Sequence, residues 1–382
     1  MFFRPHFIWS GFLLILGKNT LRSRSIQTLI LISFSFFNVS VSAKSPEEFQ
    51  LKNFDLKDLN HDGHLNLEEF SGGPMLFTKL DKDPNDFISR KEFISNPITT
   101  KERTRPLVIP PNIKVIVDIE YIEGGGKEQS LDILQPLKPI HQSMSVIVFI
   151  HGGAYQGGDK HDGWEYLLPL VDKDFIGVSI NYRLSQQAVF PAQIEDCKSA
   201  IRYLRAHADK YNLDPKRIGI WGVSAGGHLA ALLGTSSGIE ELENGPWQGY
   251  SSEVQAVCDW FGPVNFLSFG TQSKRQNHNS PESKLFGGPI AEKKALANMA
   301  SPLKYIDSND PPFLVMHGTD DKIIPYEQSR LLVTALTEAR VPVTFISLNG
   351  AGHGSEEFES IEIQLRVLDF FDSTLRKKER LK

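Results

Sequence analysis

Residues Arg217 to His228 read RIGIWGVSAGGH. A short β-rich run, RIGIW, passes straight into Gly222-Val223-Ser224-Ala225-Gly226, where a helical pattern begins. A strand that turns sharply into a helix needs flanking glycines, because side chains there would collide. Such a turn leaves the serine strained, with its hydroxyl exposed above the sheet and the helix N-terminus beneath it. Gly-x-Ser-x-Gly also occurs by chance in glycine-rich loops; its place between strand and helix makes Ser224 the candidate nucleophile.

A serine hydroxyl is a weak nucleophile unaided, so a base and an orienting acid are expected after it, in the order serine, acid, histidine. FLVMHGTDDKIIP, Phe313 to Pro325, ends a strand-like run with two adjacent acids, Asp320 and Asp321. LNGAGHG, Leu348 to Gly354, leads out of the next run with His353 held between glycines. His353 is the candidate base. From spacing alone either aspartate can be its partner, and Asp320 can equally be a turn residue bonding its own backbone. The anionic intermediate of such chemistry needs preorganised donors. In FIHGGAYQGGDK, Phe149 to Lys160, the amides of Gly152 and Gly153 can approach an oxygen closely, and the amide of Ala225 joins them. His151 reads as a brace for that loop, since the triad is complete without it.

Outward from these motifs, β-rich runs alternate with helical patterns. The runs are Val115 to Tyr121, Ser145 to Ile150, Phe175 to Ile180, Arg217 to Trp221, Val254 to Trp260, Phe313 to His317 and Val343 to Leu348. Helices are expected over Pro191 to Tyr211, Ala225 to Leu233, Tyr326 to Ala339 and Glu356 to Leu375. This alternation implies an α/β fold, a mainly parallel sheet covered on both faces, with active residues at the carboxyl ends of its strands. Asn265 to Ala300 lacks a clear period and reads as a loop-rich insertion, either capping a cleft or an ordinary surface excursion. Trp260 reads equally as acyl-pocket lining or as a core aromatic.

With 382 residues, 40% hydrophobic and 10% aromatic, the chain suits one large core and a small accessory unit. A formal net charge of -5 and no basic patch interleaved with aromatics tell against nucleic acid. Cys197 and Cys258 have no short-spaced partner and read as small buried hydrophobes, with a long-range disulfide left open. Near the start, Arg22 and Arg24 precede an apolar run, Ile26 to Phe37, and then Val41-Ser42-Ala43, whose small residues suit a signal peptidase. The run is short for a bilayer span, so residues 1–43 read as a signal peptide and the expected location is periplasmic or secreted, with no span in the mature protein. An earlier apolar stretch, Phe7 to Gly17, makes this leader unusually long and double; either the start is over-long or the leader is anchored, and the former is preferred.

Residues 44–96 carry two calcium-loop patterns. An EF-hand takes oxygen ligands from loop positions 1, 3, 5, 7, 9 and 12, with glycine at 6. In DLNHDGHLNLEE these are Asp58, Asn60, Asp62, the His64 carbonyl, Asn66 and Glu69, with Gly63 making the turn and Leu65 at position 8. In DKDPNDFISRKE they are Asp81, Asp83, Asn85, the Phe87 carbonyl, Ser89 and Glu92, with Asp86 in place of the glycine and weaker binding expected. The second loop follows the first too soon for long connecting helices, which tells against a calcium sensor. Calcium with six or more oxygen ligands leaves little room for substrate, so it reads as a structural cofactor, with none needed for the serine chemistry. Residues 97–112 (PITTKERTRPLVIPP and the residue after it) read as a linker, and 113–382 as the catalytic domain.

Together HGGAYQGGDK, GVSAGGH, HGTDDKIIP and GAGHG resemble the α/β-hydrolase esterases of the hormone-sensitive-lipase-like group, and most of all the branch of bifunctional feruloyl and acetyl xylan esterases. The likeness runs from about Lys114 to Leu375 and includes NYRLS (Asn181 to Ser185), FPAQIEDCKSAIRYLRAHA (Phe190 to Ala208) and SPLKYI (Ser301 to Ile306). It implies that the acid is Asp321, that Gly152 and Gly153 are oxyanion glycines with Ala154 where the family has a third, and that the chemistry is carboxylic ester hydrolysis on carbohydrate-linked or small esters. Arg183 and Asp196 are expected to pair and brace the nucleophile region. Two rival readings remain at this level: a peptidase of the prolyl-oligopeptidase type, and an assembly component whose dockerin-like N-terminal loops bind a protein partner.

Overall fold

The structure is a computed structural model and describes residues 62–65, 85, 87–95, 107–139, 141, 143–272 and 279–376. The expected signal peptide and residues 97–106 of the linker lie outside the described residues. Two short strands come first, β1 (His64–Leu65) and β2 (Ile88–Ser89), paired antiparallel with Leu65 opposite Ile88. Helix α1 (Arg90–Ser95) follows directly.

The remaining strands build one eight-stranded sheet: β3 (Ile113–Glu120), β4 (Ser130–Pro136), β5 (Met144–Ile150), β6 (Ile176–Ile180), β7 (Leu213–Val223), β8 (Ala256–Trp260), β9 (Phe313–Gly318) and β10 (Val343–Leu348). Their order is β10-β9-β8-β7-β5-β6-β4-β3. From β10 across to β6 every neighbour is parallel; β4 pairs antiparallel with both β6 and β3. The cause is visible in the residues. β5 reads MSVIVFI and buries every residue, as do β6, β8 and β9, because helices cover both faces. The edge strands β3 and β10 are only partly buried. The covering helices are α2 (Trp164–Val171), α3 (Ala192–Ala206), α4 (Ala208–Tyr211), α5 (Ala225–Thr235), α6 (Phe266–Gln272), α7 (Pro281–Phe286), α8 (Lys294–Met299), α9 (Glu327–Glu338) and α10 (Ile361–Leu375). Among the described residues no helix is long and apolar enough to cross a membrane.

Three features depart from the expected pattern. β4 and α2 carry no clear signal, since SLDILQP is interrupted by Asp132 and WEYLLPLV by Pro169, which removes a helical donor. Asp132 is nonetheless fully buried, because the Lys160 ammonium lies 3.0 Å from it. The expected loop-rich insertion instead holds three short helices, α6 to α8, although residues 273–278 lie outside the described residues. Trp260 is a core aromatic, stacked edge-on against Trp221 and Tyr166 at 5.0 and 5.7 Å. Cys197 and Cys258 are both buried and free, and burial pushes both thiols up.

Candidate active site

The four motifs that carry the serine chemistry, HGGAY, GVSAG, HGTDD and GAGHG, reach the carboxyl edge of the parallel strands. The serine follows β7, the loop with Gly152 follows β5, and the acid and histidine follow β9 and β10. β5 and β7 are neighbours, and the chain runs outward from them in both directions, so a crevice is expected above this pair.

Ser224 sits at the turn with φ 56° and ψ -118°, a conformation that costs about 1–3 kcal/mol for a non-glycine residue. The surrounding glycines make it attainable. A Cβ on Gly222 would run into the Gly226 carbonyl, and one on Gly226 into the Ile150 carbonyl. The Ser224 amide donates to the Trp260 carbonyl at 2.9 Å, which ties the turn to β8.

From this turn a hydrogen-bonded line runs outward. Ser224 Oγ lies 2.9 Å from His353 Nε2, and His353 Nδ1 lies 2.7 Å from Asp321 Oδ2. Asp321 Oδ1 accepts from the amides of Ile323 and Ile324 at 2.7 and 2.8 Å. Of the two candidate acids, it is Asp321 that reaches His353; Asp320 is exposed, with its amide on the Ala351 carbonyl. A second histidine, absent from the sequence reading, completes the grip. His317 Nε2 lies 3.2 Å from Asp321 Oδ2 and 3.0 Å from the Ile324 carbonyl. Both neighbours are acceptors, so this nitrogen carries the proton. Burial pushes the Asp321 carboxyl up, but hydrogen bonds from His317 and His353 outweigh it and hold the group well below the usual carboxylate range. His317 stood in the quoted HGTDD stretch, yet only the folded chain brings it beside the acid. Phe261 packs against the His353 ring, with centroids 4.6 Å apart.

On the other side of Ser224 lies the glycine loop. A Cβ on Gly152 would stand 3.0 Å from the Val223 carbonyl and 3.3 Å from Ser224 Cβ, so a side chain there would crowd the nucleophile. The Ala225 amide opens α5 and has no intrahelical acceptor. His151 is buried, stacked on Tyr182 with centroids 4.5 Å apart, and its Nδ1 donates to the Gly152 carbonyl at 2.7 Å. It braces the loop, as expected. At the loop's far end the buried Lys160 ammonium reaches Asp118 at 2.8 Å and Asp132 at 3.0 Å. Arg183 and Asp196 form the expected pair, two-pronged at 2.8 Å on each side.

Of the calcium-loop residues, Asp58, Asn60, Asn66, Glu69, Asp81 and Asp83 lie outside the described residues. The described ones repeat one local geometry in each loop. Asp62 Oδ1 accepts from the His64 amide at 2.8 Å, and Asn85 Oδ1 accepts from the Phe87 amide at 2.9 Å, both linking position 5 to position 7. Gly63 takes φ 82°, the left-handed turn required at position 6. Position 8 of one loop faces position 8 of the other, Leu65 against Ile88, both fully buried. Ser89 and Glu92 bond reciprocally, Glu92 Oε2 accepting from the Ser89 amide at 2.9 Å and Ser89 Oγ from the Glu92 amide at 3.2 Å. The described donors are hard oxygens, the kind a calcium ion takes.

A mostly parallel sheet, a serine at a strained strand-to-helix turn and a histidine and aspartate in line with it define the class, an α/β-hydrolase fold. Within that class the chain belongs to the BD-FAE family, which matches residues 131–336, more than half of its length. Among curated proteins, Esterase LipC of Mycobacterium tuberculosis is 32% identical over 237 residues, 60% of this chain and 58% of LipC. This chain therefore spans less than two thirds of that relative. Among solved structures, a truncated carbohydrate esterase from gut microbiota is similar with a TM-score of 0.66 and 32% identity, over 69% of this chain and 97% of that one. A bifunctional GH43-CE protein of Bacteroides eggerthii has a TM-score of 0.64 and 38% identity, over 67% of this chain and 37% of that one.

Proposed function

We propose that this chain is a carboxylic ester hydrolase working through an acyl-enzyme on Ser224. The observation that carries this reading is the unbroken line Ser224 Oγ, His353 Nε2, His353 Nδ1, Asp321 Oδ2, at 2.9 and 2.7 Å. Ser224 Oγ attacks the ester carbonyl carbon while His353 Nε2 takes its proton, and Asp321 holds the Nδ1–H tautomer and stabilises the imidazolium. The carbonyl oxygen becomes an oxyanion received by the amides of Gly152, Gly153 and Ala225. Collapse expels the alcohol, which takes the proton from His353. Water, deprotonated by the same nitrogen, then attacks the acyl-enzyme, and the acid leaves as Ser224 regains its proton.

The acyl group is proposed to sit on a carbohydrate or another small alcohol. Similarity to proteins named as carbohydrate esterases supports this. The protein is further proposed to be exported and to bind structural calcium through the paired loops, where Asp62 and the His64 carbonyl would join Asp58, Asn60, Asn66 and Glu69 in the first, and Asn85, the Phe87 carbonyl, Ser89 and Glu92 would join Asp81 and Asp83 in the second. Calcium would supply rigidity there and takes no part in the ester chemistry. The test is Ser224→Ala against short acyl esters. The variant is expected to keep the wild-type circular dichroism spectrum and lose turnover; retained turnover would sink the assignment. An aminoacyl amide assayed beside an acetyl ester separates this reading from a peptidase, and only the ester is expected to be cleaved.

A further inference from the structure

The loop that carries Gly152 and Gly153 contains three consecutive residues in the left-handed region: Gly153 at φ 102°, Ala154 at 55° and Tyr155 at 61°. Glycine adopts this at no cost, but alanine and tyrosine each give up about 1–2 kcal/mol, so other contacts must hold them there. Tyr155 supplies those contacts. Its carbonyl accepts from the Ser185 amide at 2.7 Å, and its buried ring meets His228 edge-on, with the hydroxyl 2.9 Å from His228 Nδ1.

His228 stands one turn into α5, with its amide on the Ser224 carbonyl at 3.0 Å. Its other ring nitrogen, Nε2, lies 2.7 Å from the Ala300 carbonyl, just past α8. A carbonyl only accepts, so Nε2 carries a proton. The ring is fully buried, with Phe266 packed against it at 4.9 Å, and burial pulls it down to about 4, which leaves it neutral. Nδ1 is then a bare lone pair, and the Tyr155 hydroxyl donates to it. Every proton in the line Tyr155, His228, Ala300 is thereby placed. One end is the glycine loop, the middle is the helix that begins at Ser224, and the other end is the segment after α8.

We propose that Tyr155 and His228 are positioning residues that fix the glycine-loop amides relative to Ser224, so that they meet the developing oxyanion rather than the ground-state carbonyl. This rests on the reading that Gly152, Gly153 and Ala225 receive the oxyanion. A donor loop and a nucleophile helix come from different strands, and their separation must be held within a few tenths of an ångström for preorganisation to act. The Tyr155–His228 hydrogen bond ties the two directly, side chain to side chain. Neither side chain touches the reacting atoms.

The test compares full-length wild type with Tyr155→Phe, which keeps the ring and loses only the hydroxyl, and with His228→Asn. Three readouts are taken: kcat and KM on p-nitrophenyl acetate, the Kd of an alkylboronic acid that forms a tetrahedral adduct on the serine, and Tm. In Tyr155→Phe, kcat is expected to fall about tenfold to a hundredfold, less than losing a donor outright, while KM moves under about threefold. The boronate Kd is expected to rise in proportion to the loss in kcat/KM. A kcat within twofold of wild type overturns the proposal, and so does a lower Tm with boronate affinity unchanged. Should His228→Asn fail to fold, Tyr155→Phe alone decides. Ser224→Ala run beside them separates the two levels: activity surviving there overturns the parent mechanism, whereas an inactive Ser224→Ala with a fully active Tyr155→Phe overturns only the positioning role.

Discussion

Adjacent aspartates make the sharpest residue-scale test, because Asp321 accepts from two backbone amides and two histidines while Asp320 faces solvent. Asp321→Asn is expected to lower kcat about 10⁴-fold by inverting the His353 tautomer, and Asp320→Asn to leave it within twofold, on the same ester. A second outcome follows from His228. Its ring is held near 4 in the folded chain against an ordinary 6.5, so its contribution is fully present above about pH 6.5 and fades as pH falls towards 4. The stability of wild type relative to His228→Asn should therefore drop by about 3 kcal/mol between pH 7 and pH 4, read by urea unfolding. The buried Asp259, pushed up to about 6, is common to both proteins and cancels. A flat difference across that range would contradict the buried neutral ring. Ser224 and His353 were legible in sequence because chain order and glycine context mark them. The choice between Asp320 and Asp321 needed the family pattern, since spacing does not say which of two neighbours at a turn faces inward. His317 was not legible although its partners Asp321 and Ile324 lie only four and seven residues on, because spacing does not say that a turn folds the acid back onto it; the Tyr155–His228 pair was not, as the two residues come from distant parts of the chain.

Close packing at the turn gives the element-scale outcomes. Gly226→Ala would drive a methyl into the β5 backbone, and a cost of about 3 kcal/mol or more is expected in denaturant unfolding. Gly249, exposed and with nothing nearby to meet an added methyl, is the control, and its alanine variant should stay within about 0.5 kcal/mol of wild type. Asp132→Ala leaves the buried Lys160 with only the exposed Asp118 as carboxylate partner, and a loss of about 3 kcal/mol is expected. The parallel strands were legible because two-sided burial writes them as continuous apolar runs. β4 and α2 were not, because a buried ion pair and a proline break the patterns by which such elements are read.

For the molecule as a whole, the paired loops and the hydrolase fold are proposed to be separable in chemistry. Removing calcium from the full chain with a chelator should lower its first unfolding transition and leave kcat within twofold; a proportional loss of kcat would tie the metal to the reaction. The calcium loops are a proposal from the sequence pattern, and among the described residues the facing of Leu65 and Ile88 is what two such loops side by side would give. The acyl and alcohol specificity was not legible, because it depends on how several loops from distant parts of the chain shape the space above Ser224. The central claim is that one serine carries the acyl group, and covalent trapping tests it most directly. The protein is treated with a p-nitrophenyl alkylphosphonate, p-nitrophenol release is counted, and the labelled peptide is mapped by mass spectrometry. One equivalent released per chain, with the phosphonyl mass on Ser224 and no labelling of Ser224→Ala, is expected; inactivation with the label on any other residue, or hydrolysis persisting after Ser224 is fully labelled, would contradict it.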